Sequence, residues 1–305
     1  YLAVAFIDEW VELRKAGIHL SIMVLNPDPS GFGSMLDYRL EPEIYNMRGV
    51  EALQKMLHHR GINGFPVHVK LDTGMHRLGF GEPDLKQLIP WLQKPEMRVA
   101  SVFSHLVASD DQNHDRFTRD QIKRFDHMSS QLLNVLRVPF QQHILNSAGI
   151  DRFPDAQYDM VRLGIGLHGV GADSSLKVVS SFKTTISQVR SVGAGETVGY
   201  SRSGVTKQKS SIATIPVGYA DGFHRSLGNG AGKVFVNGHI APTIGEICMD
   251  MAMIDVTGLD VSEGDMVELF GKQQPVSELA RQAGTIPYEI LTSVPERVKR
   301  VYIQE

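Results

Sequence analysis

The chain of 305 residues has little cysteine, no large excess of one charge and no long apolar run. One cysteine excludes a disulfide framework and a cysteine-rich metal site. Lys and Arg number 31 against 34 Asp and Glu, so the net charge of -3 provides no excess of cations for a dedicated nucleic-acid binder. The apolar runs are about as long as strands, well short of the roughly 20 residues that span a bilayer. We therefore expect a cytoplasmic protein with neither a nucleic-acid nor a membrane partner.

The first part of the chain alternates short apolar runs with helical patterns. The longest helical pattern, residues 115–137, places Phe125, Met128, Leu132 and Leu136 on one face. Continuous apolar strands that alternate with helices predict parallel βα units. The pattern predicts strands at 2–6, 20–25, 40–45, 67–71, 99–103, 143–145 and 160–163, and further helices at 8–16, 49–60 and 84–93, with Asp8 as a helix N-cap.

These seven strands are one fewer than a closed (β/α)8 TIM barrel needs. The chain also opens at Tyr1, directly before an apolar run. We therefore expect a barrel whose first βα unit lies upstream of Tyr1. An open, doubly wound sheet tolerates seven strands and stays as the alternative.

From about residue 182 the pattern changes to short segments rich in β-branched residues and separated by glycine-containing turns. This pattern predicts a barrel domain over residues 1–178 and a C-terminal, mostly-β domain over 179–305. Its predicted strands are 184–192, 211–217, 233–236, 251–256 and 266–269, and a short helix is predicted at 276–282.

Polar residues follow two of the predicted strands where a barrel would carry its active site. Lys70 ends one strand, and Arg77 follows shortly after it. A lysine there can form a Schiff base, but a structural cation paired with a carboxylate is the reading that the residues alone favour. His105 ends the next strand and suits an acid, a base or a structural histidine. No second histidine stands at metal-ligand spacing, so no metal site is predicted.

Small residues follow the last two predicted strands. Asn146-Ser147 and Arg162-Leu-Gly164-Ile165-Gly166 offer backbone N–H groups and a hydroxyl that suit a phosphate, although glycines also simply form turns. In the β-rich half, Tyr200 and Tyr219 stand beside glycines. Each is either an exposed phenol or an ordinary aromatic residue of a strand. Cys248 lies in an apolar run, which is typical of a buried, inert thiol.

Six segments follow one another along the chain in a specific combination. They are Lys70-Leu-Asp-Thr-Gly-Met-His-Arg-Leu-Gly79, Asn146-Ser-Ala, Val161-Arg-Leu-Gly-Ile, Val198-Gly-Tyr200, Val217-Gly-Tyr-Ala-Asp-Gly222 and Ile247-Cys-Met-Asp250. In combination and in this order, they resemble the pyridoxal-phosphate-dependent alanine racemases, and the resemblance covers essentially the whole chain. It implies an isomerase that interconverts L- and D-alanine with pyridoxal phosphate and supplies D-alanine for peptidoglycan.

The resemblance also implies catalytic roles. Arg162 resembles the arginine that donates to the pyridine nitrogen of the cofactor. Tyr200 resembles the phenol that exchanges the α-proton on the face opposite the cofactor's lysine, and His105 would link Tyr200 to Arg162. In the family this tyrosine reaches the barrel of a second subunit, so a homodimer with shared active sites is expected.

Binding roles carry over in the same way. Ser147, with Asn146 beside it, and the backbone of Gly164 and Ile165 resemble the phosphate site. Arg77 resembles the partner of the substrate carboxylate, and Lys70 a lysine that the family carbamylates to orient that arginine. The residues that resemble the substrate entrance and carboxylate side are Tyr219, Cys248, Met249 and Asp250.

Three positions depart from the family pattern. The family's Schiff-base lysine lies in a Val-Val-Lys-Ala segment that has no counterpart in the 305 residues, so we expect it upstream and expect these residues alone to be inactive. His168 stands where members often have Tyr, and Glu296 where some place a phosphate-binding Tyr. The alternatives are a barrel racemase or decarboxylase with another substrate range, a non-catalytic fragment, and a Schiff-base aldolase that uses Lys70.

Overall fold

The computed structural model describes residues 1–171 and 175–303. The chain forms two compact units, Tyr1–Gly164 and Ile165–Glu305. The predicted domain boundary at residue 178 stays a prediction, and each unit is considered by itself below.

Over residues 1–164, the described chain contains six parallel strands, which bond to one another in chain order. A doubly wound sheet reverses its strand order at a switch point, so sequential order supports winding of the barrel type. The strands are β1 (Leu2–Val4), β2 (Ile22–Val24), β3 (Glu41–Ile44), β4 (Phe65–Lys70), β5 (Met97–Phe103) and β6 (Gln141–His143). The helices are α1 (Ile7–Lys15), α2 (Phe32–Asp37), α3 (Met47–His59), α4 (Leu85–Leu92), α5 (Asp115–Leu136) and α6 (Ser147–Arg152).

The six-stranded sheet is curled. Tyr1 precedes β1, yet its ring lies edge-on to that of His68 on β4 with the centroids 5.5 Å apart. Neighbouring strands lie about 4.8 Å apart, so a flat sheet would keep β1 and β4 roughly 14 Å apart. The sheet therefore forms part of a barrel wall, and its inner face is lined by side chains from several strands.

The seventh predicted strand, residues 160–163, is not a strand. This segment makes only isolated backbone bonds towards β6, from Asp159 N to Gln142 O at 3.1 Å and from Arg162 N to Leu145 O at 3.0 Å. The Asp159 carboxylate also accepts the Gln142 N–H at 2.8 Å, and so takes the donor that a ladder would use. The expected strand upstream of Tyr1 stays a prediction.

Helices α1 and α2 differ from what the sequence predicted. Helix α1 begins at Ile7 rather than after Asp8, because the Glu9 carboxylate accepts from the backbone of Ala5 at 2.9 Å. Helix α2 lies between the predicted strands 20–25 and 40–45, where no helix was predicted. It forms because Phe32 and Met35 bury themselves on one face in the core.

The second unit is mostly β, as predicted. The predicted single strand 184–192 is two strands, because Ile186 N bonds to Asp265 O in one sheet and Ser187 N to Thr214 O in another. The strands are β7 (Phe182–Thr185), β8 (Gln188–Val192), β9 (Thr197–Val198), β10 (Gly204–Val205), β11 (Ser210–Ile215), β12 (Lys233–Val236), β13 (His239–Pro242), β14 (Ala252–Asp255) and β15 (Met266–Phe270). The helices are α7 (Val276–Ala283) and the unpredicted α8 (Pro287–Ser293).

None of the helices in residues 1–171 and 175–303 has both the length and the apolar character needed to cross a bilayer.

The predicted apolar face of α5 is confirmed, which allows a matched test. Leu132 is 0% exposed and its neighbour Leu133 is 39% exposed. We expect Leu132→Ala to lower the free energy of unfolding by about 2–5 kcal/mol, because it leaves a cavity in the core. Leu133→Ala should cost less than about 1 kcal/mol. Urea unfolding followed by circular dichroism measures both, and equal losses would contradict the packing of this face.

Candidate active site

The guanidinium of Arg162 is held by acceptors from the ends of β5 and β6. Nη1 donates to His143 Nδ1 at 2.6 Å. Nη2 donates to Ser104 O at 2.6 Å, to Ile144 O at 3.1 Å and to His105 Nδ1 at 3.2 Å. Within the described parts of the chain, the Nε–H has no hydrogen-bond acceptor. The side chain is therefore fixed in orientation while one N–H stays available to a ligand.

These contacts also set the charges. Burial lowers the pKa of Arg162 to about 10, and the nearby Glu43 opposes this, so the guanidinium stays charged at neutral pH. Burial and the positive charge of Arg162 lower the pKa of His105 to about 3 and that of His143 to about 2. Both imidazoles are therefore neutral. Because Nδ1 of His105 accepts from arginine, its proton lies on Nε2.

Lys70 lies on the inner face of the curled sheet, beside a buried carboxylate. Its Nζ is 3.3 Å from Oε1 of Glu43, which is 1% exposed, and 5.2 Å from the centroid of the Phe103 ring. Burial lowers the pKa of Lys70 and raises that of Glu43, and the attraction between the two opposes both shifts. This environment matches the structural-cation reading of Lys70.

Arg77 is presented by a tight loop that leaves β4 and returns to it. The Asp72 carboxylate accepts from three successive backbone N–H groups, those of Gly74, Met75 and His76, at 2.9 to 3.1 Å. The loop closes where Phe80 N bonds to the carbonyl of Lys70 at 2.9 Å. Arg77 itself is exposed on this loop, beyond the carboxyl end of β4.

The predicted phosphate residues of the first unit lie together. Asn146 caps α6 by accepting from Gly149 N at 2.9 Å, and it also accepts from the Ser109 hydroxyl at 2.7 Å. The Ser147 hydroxyl accepts from Gly164 N at 3.0 Å. A hydroxyl and a backbone amide thus lie side by side near the end of β6. Ile165 begins the next short turn, Ile165–His168, in the second unit.

Tyr200 is 70% exposed and begins a short turn in the second unit. The turn is shaped by three residues with positive φ, Gly199 at 80°, Ser201 at 56° and Arg202 at 53°. Such a turn directs the phenol away from the local core.

The remaining predicted substrate residues lie on two loops that are bonded to each other. Tyr219 N donates to the carbonyl of Cys248 at 3.0 Å, and Ala220 N donates to that of Met249 at the same distance. Arg297 then joins both loops, donating to Asp221 at 2.8 Å and to Asp250 at 2.6 Å. This arrangement leaves Tyr219 and Met249 exposed on a braced surface.

Cys248 is half-buried, and burial raises the pKa of its thiol, with the charge of Glu246 acting in the same direction. This environment is that of the inert thiol expected from the sequence. Glu296 and His168 are both exposed. No group of three His, Cys, Asp or Glu side chains in the described residues could hold a metal ion.

Three important residues were not singled out from the sequence, namely Glu43, His143 and Arg297. The sequence did contain a signal for Glu43. In the buried strand Glu41-Pro-Glu43, the two glutamates stand at alternate positions, so both side chains lie on the same face of the sheet. His143 was noted only as part of a strand. Arg297 gave no signal, since its two partners lie 47 and 76 positions away in the chain.

The loop that carries Arg77 depends on Gly79. A Cβ at this residue, whose φ is +127°, would lie 2.8 Å from Asp72 N and 2.9 Å from the carbonyl carbon of Leu71. We expect Gly79→Ala to lower the free energy of unfolding by roughly 2 kcal/mol or more. Gly61→Ala is the control, since φ there is +65° but no atom lies within 4 Å of the added carbon. It should cost about 1 kcal/mol. Urea unfolding that gives the two variants equal stability would contradict this account.

Comparison with known proteins places these residues in a family. The model of the alanine racemase N-terminal domain matches residues 1–172, and that of the C-terminal domain matches residues 179–302. The alanine racemase of Thermodesulfovibrio yellowstonii is 39% identical over 311 residues, which cover 100% of this chain and 83% of the relative.

Solved structures agree. The alanine racemase from Bartonella henselae with covalently bound pyridoxal phosphate has a TM-score of 0.90 at 34% identity, over 99% of this chain and 84% of that one. The alanine racemase from Bacillus anthracis with bound L-Ala-P has a TM-score of 0.89 at 30% identity, over 99% of this chain and 81% of that one. By sequence and by fold, the chain belongs to the alanine racemase family.

Proposed function

We propose that this protein binds pyridoxal phosphate and interconverts L- and D-alanine, providing D-alanine for peptidoglycan in the cytoplasm. The observation that carries the proposal is the clamped guanidinium of Arg162, which keeps its Nε–H available beside a neutral His105. The family membership and the ligands of the two solved relatives support it.

The hydrogen-bond donors of the site fit both the phosphate and the pyridine ring of this cofactor. The Ser147 hydroxyl and the Gly164 amide would hold the phosphate, with Ile165 next in the chain. Arg162 would hold the ring, and because arginine only donates, it suits a pyridine nitrogen that carries no proton. When bound, the cofactor supplies an electron sink for the α-carbon of an amino acid, and an unprotonated ring makes that sink a weaker one.

Inversion at one carbon needs proton carriers on its two faces. We assign one of them to Tyr200, whose phenol is exposed on its turn. An unperturbed tyrosine has a pKa near 10, so it needs help to act as a base at neutral pH. The Nε2–H of His105 can donate to the phenolate and so stabilise it. We propose that Tyr200 of one copy meets His105 of a second copy, which makes the active unit a homodimer.

The substrate carboxylate is assigned to Arg77, whose loop holds it beyond the end of β4. Tyr219, Cys248, Met249 and Asp250 would line the entrance, braced by Arg297. Lys70 is not proposed as the lysine that binds the cofactor, because Glu43 pairs with it at 3.3 Å. Borohydride reduction with pyridoxal phosphate and peptide mapping should find no label on Lys70, and a label there with racemase turnover would overturn this assignment.

The test of function measures D-alanine formed from L-alanine with added pyridoxal phosphate. No Val-Val-Lys-Ala segment occurs in the 305 residues, so turnover is expected once the family's lysine segment is joined to the chain. Within that protein, Tyr200→Phe should lower kcat by roughly 100-fold or more, because it removes one proton carrier. Tyr288→Phe, at an exposed tyrosine of the same unit, should leave the rate unchanged. The proposal would be contradicted if the protein with the joined lysine segment formed no D-alanine, or if the two variants had equal rates.

Carbamylation of Lys70 is proposed as its modification, and Glu43 gives a way to test it. Burial lowers the pKa of Lys70, which favours the neutral amine. This amine adds to carbon dioxide and loses one N–H proton to water, and the Glu43 carboxylate opposes the anionic carbamate that results. We expect Glu43→Gln to raise the carbamylated fraction of Lys70 several-fold, measured by ¹³C NMR with labelled bicarbonate. A fraction that is unchanged or lower would show that Glu43 does not oppose the modification.

A further inference from the structure

A continuous line of hydrogen bonds crosses the interior of the first unit and ends on Arg162. Glu41 Oε2 lies 3.0 Å from His68 Nε2, and His68 Nδ1 lies 2.7 Å from Ser101 Oγ. Ser101 Oγ lies 3.0 Å from His143 Nε2, and His143 Nδ1 lies 2.6 Å from Arg162 Nη1. The line runs over the inner face of β3, β4, β5 and β6, one residue from each strand.

The three middle members are fully buried. His68, Ser101 and His143 are each 0% exposed. Buried polar groups without partners are costly, so these groups must satisfy one another. Each imidazole has one donor and one acceptor nitrogen when neutral, and each uses both in the line.

The two ends allow only one direction for the protons. Arg162 only donates, so His143 Nδ1 must accept and His143 must carry its proton on Nε2. That proton goes to Ser101 Oγ, whose own proton must then go to His68 Nδ1. His68 therefore carries its proton on Nε2 and donates it to the Glu41 carboxylate, which only accepts. Tyr1 also donates to this carboxylate, at 3.0 Å.

We propose that Glu41, His68 and Ser101 are positioning residues for Arg162, acting through a one-way hydrogen-bond relay. The relay keeps the Nδ1 lone pair of His143 directed at the guanidinium. It also aligns every bond dipole between a carboxylate at one end and a cation at the other, which strengthens each link. The relay thereby holds the Arg162 Nε–H in the direction that the cofactor ring requires, and this last step rests on the proposed function.

The charge at the far end supports the relay. Burial acts to raise the pKa of Glu41, but the hydrogen bonds that its carboxylate accepts from His68, Ser21 and Tyr1 outweigh burial and lower the pKa. Glu41 is therefore the anion that the direction of the line requires.

The first arm of the test reads the proton positions without any cofactor. In protein labelled with ¹⁵N-histidine, long-range ¹H–¹⁵N spectra at neutral pH should show His68 and His143 protonated on Nε2 alone, with His68→Gln assigning the signals. Glu41→Gln should leave both tautomers unchanged, because Arg162 sets the direction and the amide oxygen still accepts. Protonation of either ring on Nδ1, or on both nitrogens, would overturn the relay.

The second arm measures the dissociation constant of pyridoxal phosphate by fluorescence titration of the protein joined to the family's lysine segment. Ser101→Ala interrupts the relay and should weaken binding about tenfold, or about 1.4 kcal/mol. Glu41→Gln removes the anionic end and should weaken it about threefold. Ser129→Ala, at a buried serine of α5, is the matched control and should stay within twofold.

The outcomes separate the relay from the proposed function. If the protein joined to the lysine segment binds no pyridoxal phosphate while its histidines show the expected tautomers, the proposed function fails and the relay stands on the spectra. If pyridoxal phosphate binds but neither Ser101→Ala nor Glu41→Gln weakens it beyond the control, these residues do not position Arg162 and the proposal is overturned. Should Ser101→Ala fail to fold, Glu41→Gln decides this arm.

Discussion

The buried guanidinium of Arg162 needs hydrogen-bond acceptors, and this need organises the interior of the first unit. The guanidinium of Arg162 cannot lose its charge at neutral pH, so every acceptor around it must present a lone pair. The carbonyls of Ser104 and Ile144 do so by their backbone geometry, and His105 and His143 do so by staying neutral. The tautomers of the site follow from this one requirement.

Charge balance extends the same constraint across the sheet. Lys70 adds a second cation to the interior, and the Phe103 ring lies near both, with its centroid 5.2 Å from Lys70 Nζ and 5.3 Å from the Arg162 guanidinium carbon. Strand β3 provides the two opposing carboxylates at alternate positions, Glu43 beside Lys70 and Glu41 at the far end of the line to Arg162. Glu43 is thus the countercharge of both buried cations, since it pairs with Lys70 and also favours the charged form of Arg162.

Local patterns explain why most elements of the fold could be predicted. Apolar runs located β4 and β5, and the spacing of Phe125, Met128 and Leu132 located the buried face of α5. Predictions failed where partners distant in the chain decided the bonding of the backbone. Asp159 took the ladder donor of Gln142, and two sheets divided the β-branched run at residues 184–192 between them. Such competition depends on groups that are distant in the chain.

The sequence by itself determined the alternation of strands and helices, the change to a β-rich second half, and the motif residues that meet as Arg162 with His105 and Ser147 with Gly164. These follow from periodicity, turn residues and motif order, which are local properties of the chain. Only the tertiary structure decided which carboxylate pairs with Lys70, which groups hold Arg162, and where the protons lie between Glu41 and Arg162. The physical reason is that charge pairing and proton placement depend on distances of about 3 Å between strands, and the curl of the sheet sets those distances.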